Sequence, residues 1–256
     1  MLFIIGLEKN PEQCRKTTST AVRAELKRRK KFSKSGCRPS STRRKVMAES
    51  VKFRDPRVHQ KIDRHRACPR CYRDIDECLC AKVPVFENLI SVIILQHPQE
   101  QYKQLNSAWL ANIMLKNSHV RVGLSWNGFK SVAGESAMPS QWGILFLNNK
   151  GKAGDPPVTI QNRKKQFSAD YGFLKGIIAL DGSWKQAKTL WWRNPWFLKL
   201  NRISLNPAHA SLRAQTREGG LSTIEAIAFA LDNLGEDKLT GESLRENFRR
   251  LIIGIA

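Results

Sequence analysis

The amino-acid sequence predicts an α/β protein built on a mostly parallel sheet. Three observations carry that expectation. Several short runs are apolar at nearly every position, as strands covered on both faces are. Segments with helical apolar spacing alternate with them. Two helix starts have capping-box spacing, Ser183 with Gln186 and Ser222 with Glu225.

The elements follow in order. "LISVIILQHP" (89–98) is β-branched and stops at Pro98, which reads as a buried strand. "NSAWLANIML" (106–115) places Trp109, Leu110, Ile113 and Met114 at helical spacing. "WGILFLNN" (142–149) is a second strand, and "KGKAGDPP" (150–157) a loop. "GIIALDG" (176–182) is a third strand, running straight into a helix in which Trp184, Ala187, Lys188 and Trp191 share a face. "NRISLNP" (201–207) is a fourth. "STIEAIAFALDNLG" is a helix with Ile224, Ile227, Ala228, Leu231 and Leu234 inward and Gly235 as its left-handed stop. "GESLRENFRRLIIGI" is the last helix, turning Leu244, Phe248, Leu251 and Ile252 inward. No internal repeat is visible.

A chain of 256 residues suffices for one large or two small domains. It carries 44 Lys and Arg against 22 acids, a formal charge of +22, which points to a polyanion as partner and to nucleic acid first. Residues 1–66 hold 20 of the basic residues and only six acids, so +14 of that charge lies in a segment with little apolar periodicity. We expect it to be a basic, partly disordered segment. A transit peptide has a similar texture. Glu8, Glu12 and Glu25 interrupt the pattern, so an RNA-contacting arm is the simpler reading, in a cytoplasmic protein. No apolar run reaches the roughly 18–20 residues needed to span a bilayer, and "MLFIIGL" is too short for a secretory core.

Four of six cysteines, Cys68, Cys71, Cys78 and Cys80, fall within 13 positions as C-x2-C-x6-C-x-C. Two close pairs of thiolates can surround a tetrahedral zinc, and four sulfurs with no open position make such a metal structural. An iron–sulfur cluster is the minor alternative. The expected boundaries are a zinc-binding module at 67–84 and a catalytic domain at 85–256. Arg64, Arg66, Arg70 and Arg73 surround the cysteines and could present cations to RNA.

Open α/β sheets bind ligands beyond the carboxyl ends of their strands. Four such ends carry polar groups: Gln96, His97 and Glu100; Asn148 and Asn149; Asp181; and Asn206 with His209. His97, held out of helical geometry by Pro98, either touches a ligand or RNA, or caps the next turn. Asp181 stands where a strand meets a helix start, either as a turn aspartate or as an active carboxylate. Ser183 is the helix N-cap in both cases. Core packing is the first reading for Trp184 and ligand contact the second.

Four signatures occur together in order: the cysteine cluster, the strand with "HPQEQYKQLNS", "LDGSWKQAK", and "LRAQTREGGLSTIEAIAFAL". Over roughly residues 64–235 the chain resembles the DTW-domain proteins, tRNA-uridine aminocarboxypropyltransferases. It departs from their usual pattern at Ser183, where threonine is common, and at Asn106-Ser107, where Asn-Thr is common; both changes keep a hydroxyl. The resemblance implies a SPOUT-like fold with a C-terminal trefoil knot that cradles S-adenosylmethionine as co-substrate, and tRNA as partner. It implies transfer of the 3-amino-3-carboxypropyl group to N3 of a uridine, with release of methylthioadenosine. Asp181 matches the signature acid and is expected to act as general base or orienter of N3. Backbone around Leu180, Leu205 and Leu221 is expected to hold the adenosine part, beside Ser183 and Trp184. Ser222 and Thr223, at a helix start, are expected to meet the methionine carboxylate. Arg213 serves that carboxylate or an RNA phosphate, and His97 the substrate. An RNA methyltransferase of related fold and a non-catalytic zinc-bearing RNA-binding protein remain the alternatives.

Overall fold

The computed structural model describes residues 57, 60–147, 154–168, 170–213 and 220–254. All fall in the larger of two units into which the chain divides; the smaller, residues 6–52, lies wholly outside them. The expectation of a basic, partly disordered segment over 1–66 therefore falls almost entirely outside the described residues, as do the strand-end candidates Asn148 and Asn149.

In chain order the elements are β1 (Ser91–Gln96), α1 (Ser107–Met114), β2 (Ser118–Val122), α2 (Phe129–Ala133), β3 (Trp142–Leu147), β4 (Val158–Gln161), β5 (Phe167–Ser168), β6 (Gly176–Asp181), α3 (Trp184–Arg193), β7 (Asn201–Leu205), α4 (Thr223–Asn233) and α5 (Lys238–Ile253). The strands form one sheet in the order β2-β1-β6-β3-β7-β4-β5. Neighbours from β2 through β7 pair in parallel, whereas β4 runs antiparallel to both β7 and β5. The four strands expected from apolar runs are all present, and three of them (β1, β6 and β3) are adjacent near the sheet centre. β3 and β6 are buried along their whole length.

Alternation along the strands divides the core in two. Val92, Ile94, Leu145, Ile177, Ala179, Ile203 and Leu205 face one side with residues of α1, α4 and α5. Ile93, Leu95, Ile144, Phe146, Ile178 and Leu180 face the other, against α2 and α3. α4 is buried around most of its circumference, as a helix sandwiched between a sheet and another helix must be. Leu244, Phe248 and Leu251 of α5 close that layer, each worth about 1.5–3 kcal/mol of apolar burial. Gly235 has φ 95°, in the left-handed region required just past α4.

Three differences from expectation have plain causes. At or near the sheet margin, β4 alternates buried and half-exposed residues and β2 is exposed or half-exposed beyond Ser118, so neither shows a continuous apolar run. Helix α2 has only five residues, too few for a periodic signal. α5 begins at Lys238, capped by the Asp237 carboxylate on the Leu239 amide, rather than at Gly241.

Candidate active site and metal centre

β1 and β6 pair in register to their last residues, which sets Gln96 directly opposite Asp181. Both side chains belong to the face covered by α1 and α4, and both are buried, Gln96 fully and Asp181 with 6% exposure. One Asp181 carboxylate oxygen accepts from Gln96 Nε2 at 2.8 Å. The other accepts from Thr223 Oγ1 at the first turn of α4. The carboxylate thus engages side chains remote in sequence. It reaches across the sheet edge to the start of a helix 42 residues further on.

Gln96 belongs to a wider buried network. Its Oε1 accepts from the Trp109 indole at 3.0 Å, and its Nε2 also donates to Asn106 Oδ1 at 3.2 Å. Asn106 caps α1 through that oxygen, accepting from the Trp109 amide, while its Nδ2 donates to the carbonyls of Glu100 and Gln101. The "HPQEQYKQLNS" stretch is therefore folded back so that its end supports the strand end from which it departs.

At the head of α4, Glu225 is 1% exposed and accepts from the Ser222 amide and hydroxyl, the Ser211 hydroxyl and the Leu212 amide. This capping box also anchors the segment after β7. Arg213, half-buried, reaches the Leu105 carbonyl at 3.4 Å and so stands beside the Asn106 turn. The hydroxyls of Ser222 and Thr223 are both turned inward, to Glu225 and to Asp181. Leu205 and Leu221 are fully buried on this same face.

The remaining expected residues lie on the other face or at the rim. Leu180 is core among the α3 residues, and Trp184 packs half-buried against the same cluster. Ser183, exposed, caps α3 in a capping box with Gln186, whose Nε2 donates to Gln99 Oε1 at 3.0 Å. His97 follows Gln96 directly; its amide donates to the Asp181 carbonyl at 2.9 Å, extending the β1–β6 pairing by one residue. Its Nδ1 accepts from the Gln99 amide at 3.3 Å, which leaves Nε2 as the proton-bearing nitrogen of the neutral ring. Burial lowers its pKa below the usual histidine value, with Lys103 adding to that effect and Glu100 opposing it. Asp181, Thr223 and Ser222 are thus brought together, with Gln96 and Asn106 as further members. Gln96 and Asn106 were visible in the sequence as polar groups at a strand end and a helix start. The role of Trp109 had no local signal, because its spacing is that of any core residue.

The four clustered cysteines place their sulfurs within 4.8 Å of one another. Individual Sγ separations are 3.5 Å for Cys68–Cys78, 3.8 Å for Cys71–Cys78 and 3.9 Å for Cys68–Cys80. Metal–sulfur bonds of about 2.3 Å in a tetrahedron require edges of about 3.8 Å, so this quartet could hold a metal ion. Burial pushes the Cys71 thiol up, and burial together with the neighbouring sulfurs does the same to Cys80. Burial acts against Cys68 too, but the amides of Cys71 and Arg70 together with the Cys78 and Cys71 sulfurs outweigh it and bring that thiol down to about 7. Crowded sulfurs of this kind gain most from a shared cation. The turn that makes the quartet places Tyr72 at φ 55° and closes with a 2.7 Å bond from the Cys68 amide to the Arg73 carbonyl. Arg73 fastens this loop to the "HPQEQYKQLNS" stretch through Gln104 O at 2.7 Å.

A mostly parallel sheet, helices on both faces and a buried polar cluster where two central strands end define an α/β protein of the strand-end-site class. The chain belongs to the DTW domain family, whose model matches residues 65–254. It is 28% identical over 188 residues to tRNA-uridine aminocarboxypropyltransferase 2 of Macaca fascicularis, covering 71% of this chain and 60% of that protein. The protein of the same name from Mus musculus is 28% identical over 192 residues, 72% and 62% of the two chains. That of Drosophila melanogaster is 24% identical over 177 residues, 66% of each. The aligned region spans only about 60% of the two mammalian relatives. No solved structure matches.

Proposed function

We propose that this chain is a tRNA-uridine aminocarboxypropyltransferase, which moves the 3-amino-3-carboxypropyl group of S-adenosylmethionine to N3 of a uridine. Membership of the DTW family and the names of its relatives support the reaction class. The observation that carries it to particular residues is Asp181, clamped by Gln96 and Thr223 at the joined ends of β1 and β6. In the reaction, the N3–carbon bond forms as the carbon–sulfur bond breaks, the sulfonium becomes the neutral thioether of methylthioadenosine, and the N3 proton must leave. Asp181 accepts or orients that proton. With both oxygens already engaged and little exposure, orientation is the role its geometry favours.

Arg213, at the segment after β7, is the cation proposed for the methionine carboxylate or a phosphate. Backbone at Leu180, Leu205 and Leu221, with Ser183 and Trp184 beside it, is proposed to hold the adenosine part; the Ser222 and Thr223 region contributes the helix start. His97 presents its Nε2 to the substrate uridine. Lys185 and Lys188 are exposed on α3 next to the strand end, which suits a polyanion. For this mostly parallel sheet we propose a SPOUT-like architecture with a knotted C-terminal half. We assign residues 67–84 to a structural zinc module, 85–256 to the catalytic domain and 1–66 to a basic tRNA-contacting segment.

Asp181→Asn keeps the shape and removes the charge; its oxygen can still accept from Gln96 Nε2, while its amide nitrogen must donate to the Thr223 hydroxyl. It should lower the transfer rate by about 10²–10⁴-fold, with tRNA affinity and melting temperature close to those of the unsubstituted protein. A variant that retains full activity would remove Asp181 from the chemistry.

A further inference from the structure

We propose that Trp109 and Gln96 are positioning residues that couple the cysteine loop to Asp181, an inference that rests on Asp181 being the active carboxylate. The path is continuous. Tyr72, the residue after Cys71, stacks on Trp109 with ring centroids 4.3 Å apart. The Trp109 indole donates to Gln96 Oε1, and Gln96 Nε2 donates to Asp181 Oδ2.

Donor and acceptor chemistry fixes the direction of every link. An indole N–H only donates, so the Gln96 atom facing it must be the carbonyl oxygen. The amide nitrogen must then face Asp181 and Asn106. Asn106 gives the same answer independently: its nitrogen is committed to two backbone carbonyls, so its oxygen is the atom turned toward Gln96 Nε2. Gln96 is completely buried, and its amide has two donor hydrogens for its two acceptors, Asp181 and Asn106. Loss of the indole donor would leave the Gln96 oxygen buried without that bond and remove one restraint against a flipped amide. A flipped amide sets an oxygen against the Asp181 carboxylate, which is repulsive and displaces it.

The cysteine loop controls where the indole sits. Tyr72 is held at positive φ by the turn that brings Cys68 and Cys71 together, and Tyr102 packs edge-on against it at 5.7 Å. Arg73 ties the same loop to the Gln104 carbonyl, just ahead of the Asn106 cap. Displacement of the loop therefore acts on both residues that orient Gln96.

The test is a double-mutant cycle with a second, spectroscopic arm. Trp109→Phe keeps the ring stack and deletes the N–H; Gln96→Met keeps the length and deletes the amide. Trp109→Phe should lower kcat about tenfold, with KM for tRNA changed less than about twofold. Gln96→Met should cost at least as much, and the double variant no more than Gln96→Met alone, because one residue acts through the other. Additive losses, or an unaffected Trp109→Phe, would overturn the proposal.

In the second arm the protein is labelled with fluorotryptophan, and the Trp109 resonance is assigned among the seven by its absence from Trp109→Phe. That resonance should move in both Tyr72→Leu and Asp181→Asn, and stay unmoved in neither. If it is unmoved in either, the coupling is refuted even where a kinetic variant fails to fold. If Asp181→Asn remains active while the resonance still moves, the chemical reading of Asp181 fails and the positional link stands. If Asp181→Asn is inactive but the cycle is additive, the link fails and the chemical reading stands.

Discussion

Asp181 depends on two side chains from distant parts of the chain, and the Thr223 hydroxyl is the more exposed to test. Thr223 is fully buried, and replacing it with valine keeps the shape while removing one donor from a buried carboxylate. Thr223→Val should destabilise the fold by about 1–3 kcal/mol in urea unfolding. A change near zero would show that the hydroxyl does not support Asp181. The residue scale also shows where sequence reasoning reached. Ser183, Ser222 and their glutamine or glutamate partners were legible because a capping box is complete within four residues. Asp181 was legible as a polar group ending an apolar run. Its partners were not, because the register that sets Gln96 opposite Asp181 joins positions 85 apart. The hydroxyls of Ser222 and Thr223 could be placed at a helix start from sequence, but not their inward direction, which Glu225 and Asp181 decide.

Among the elements, the cysteine loop is the one whose stability should depend on something other than packing. Four sulfurs within 4.8 Å of one another lie on the turn that presents Tyr72 and Arg73 to the rest of the fold. We expect about one zinc per purified chain by elemental analysis. Chelation should lower the melting temperature by about 5 °C or more, since each kcal/mol shifts a domain of this size by about 2–4 °C. Protein that is metal-free as purified and melts unchanged with chelator would contradict the assignment. The pattern of elements found and missed has one physical origin. β1, β3 and β6 could be read directly from their apolar runs and β7 from the alternation of Ile203 and Leu205 ahead of Pro207, whereas β2, β4 and β5 have a half-exposed face and a weak signal. The sheet order could not be read from local pattern at all, because β6 enters between β1 and β3 only through contacts remote in sequence.

Across the whole molecule, charge and site occupy different regions. Of the +22, residues 1–66 carry +14, which leaves +8 for the 190 residues that hold the sheet and the cysteine loop. Such a division suits an enzyme that gathers a polyanion with one segment and performs chemistry with another. No helix among the described residues is long and apolar enough to cross a membrane. The proposed reaction is recognised by its products. The decisive measurement incubates the protein with unmodified tRNA and S-adenosylmethionine, then identifies the nucleosides and the small-molecule product by mass spectrometry. The account predicts methylthioadenosine together with a uridine heavier by one aminocarboxypropyl group. S-adenosylhomocysteine with a methylated base, or tRNA bound with no product formed, would contradict it.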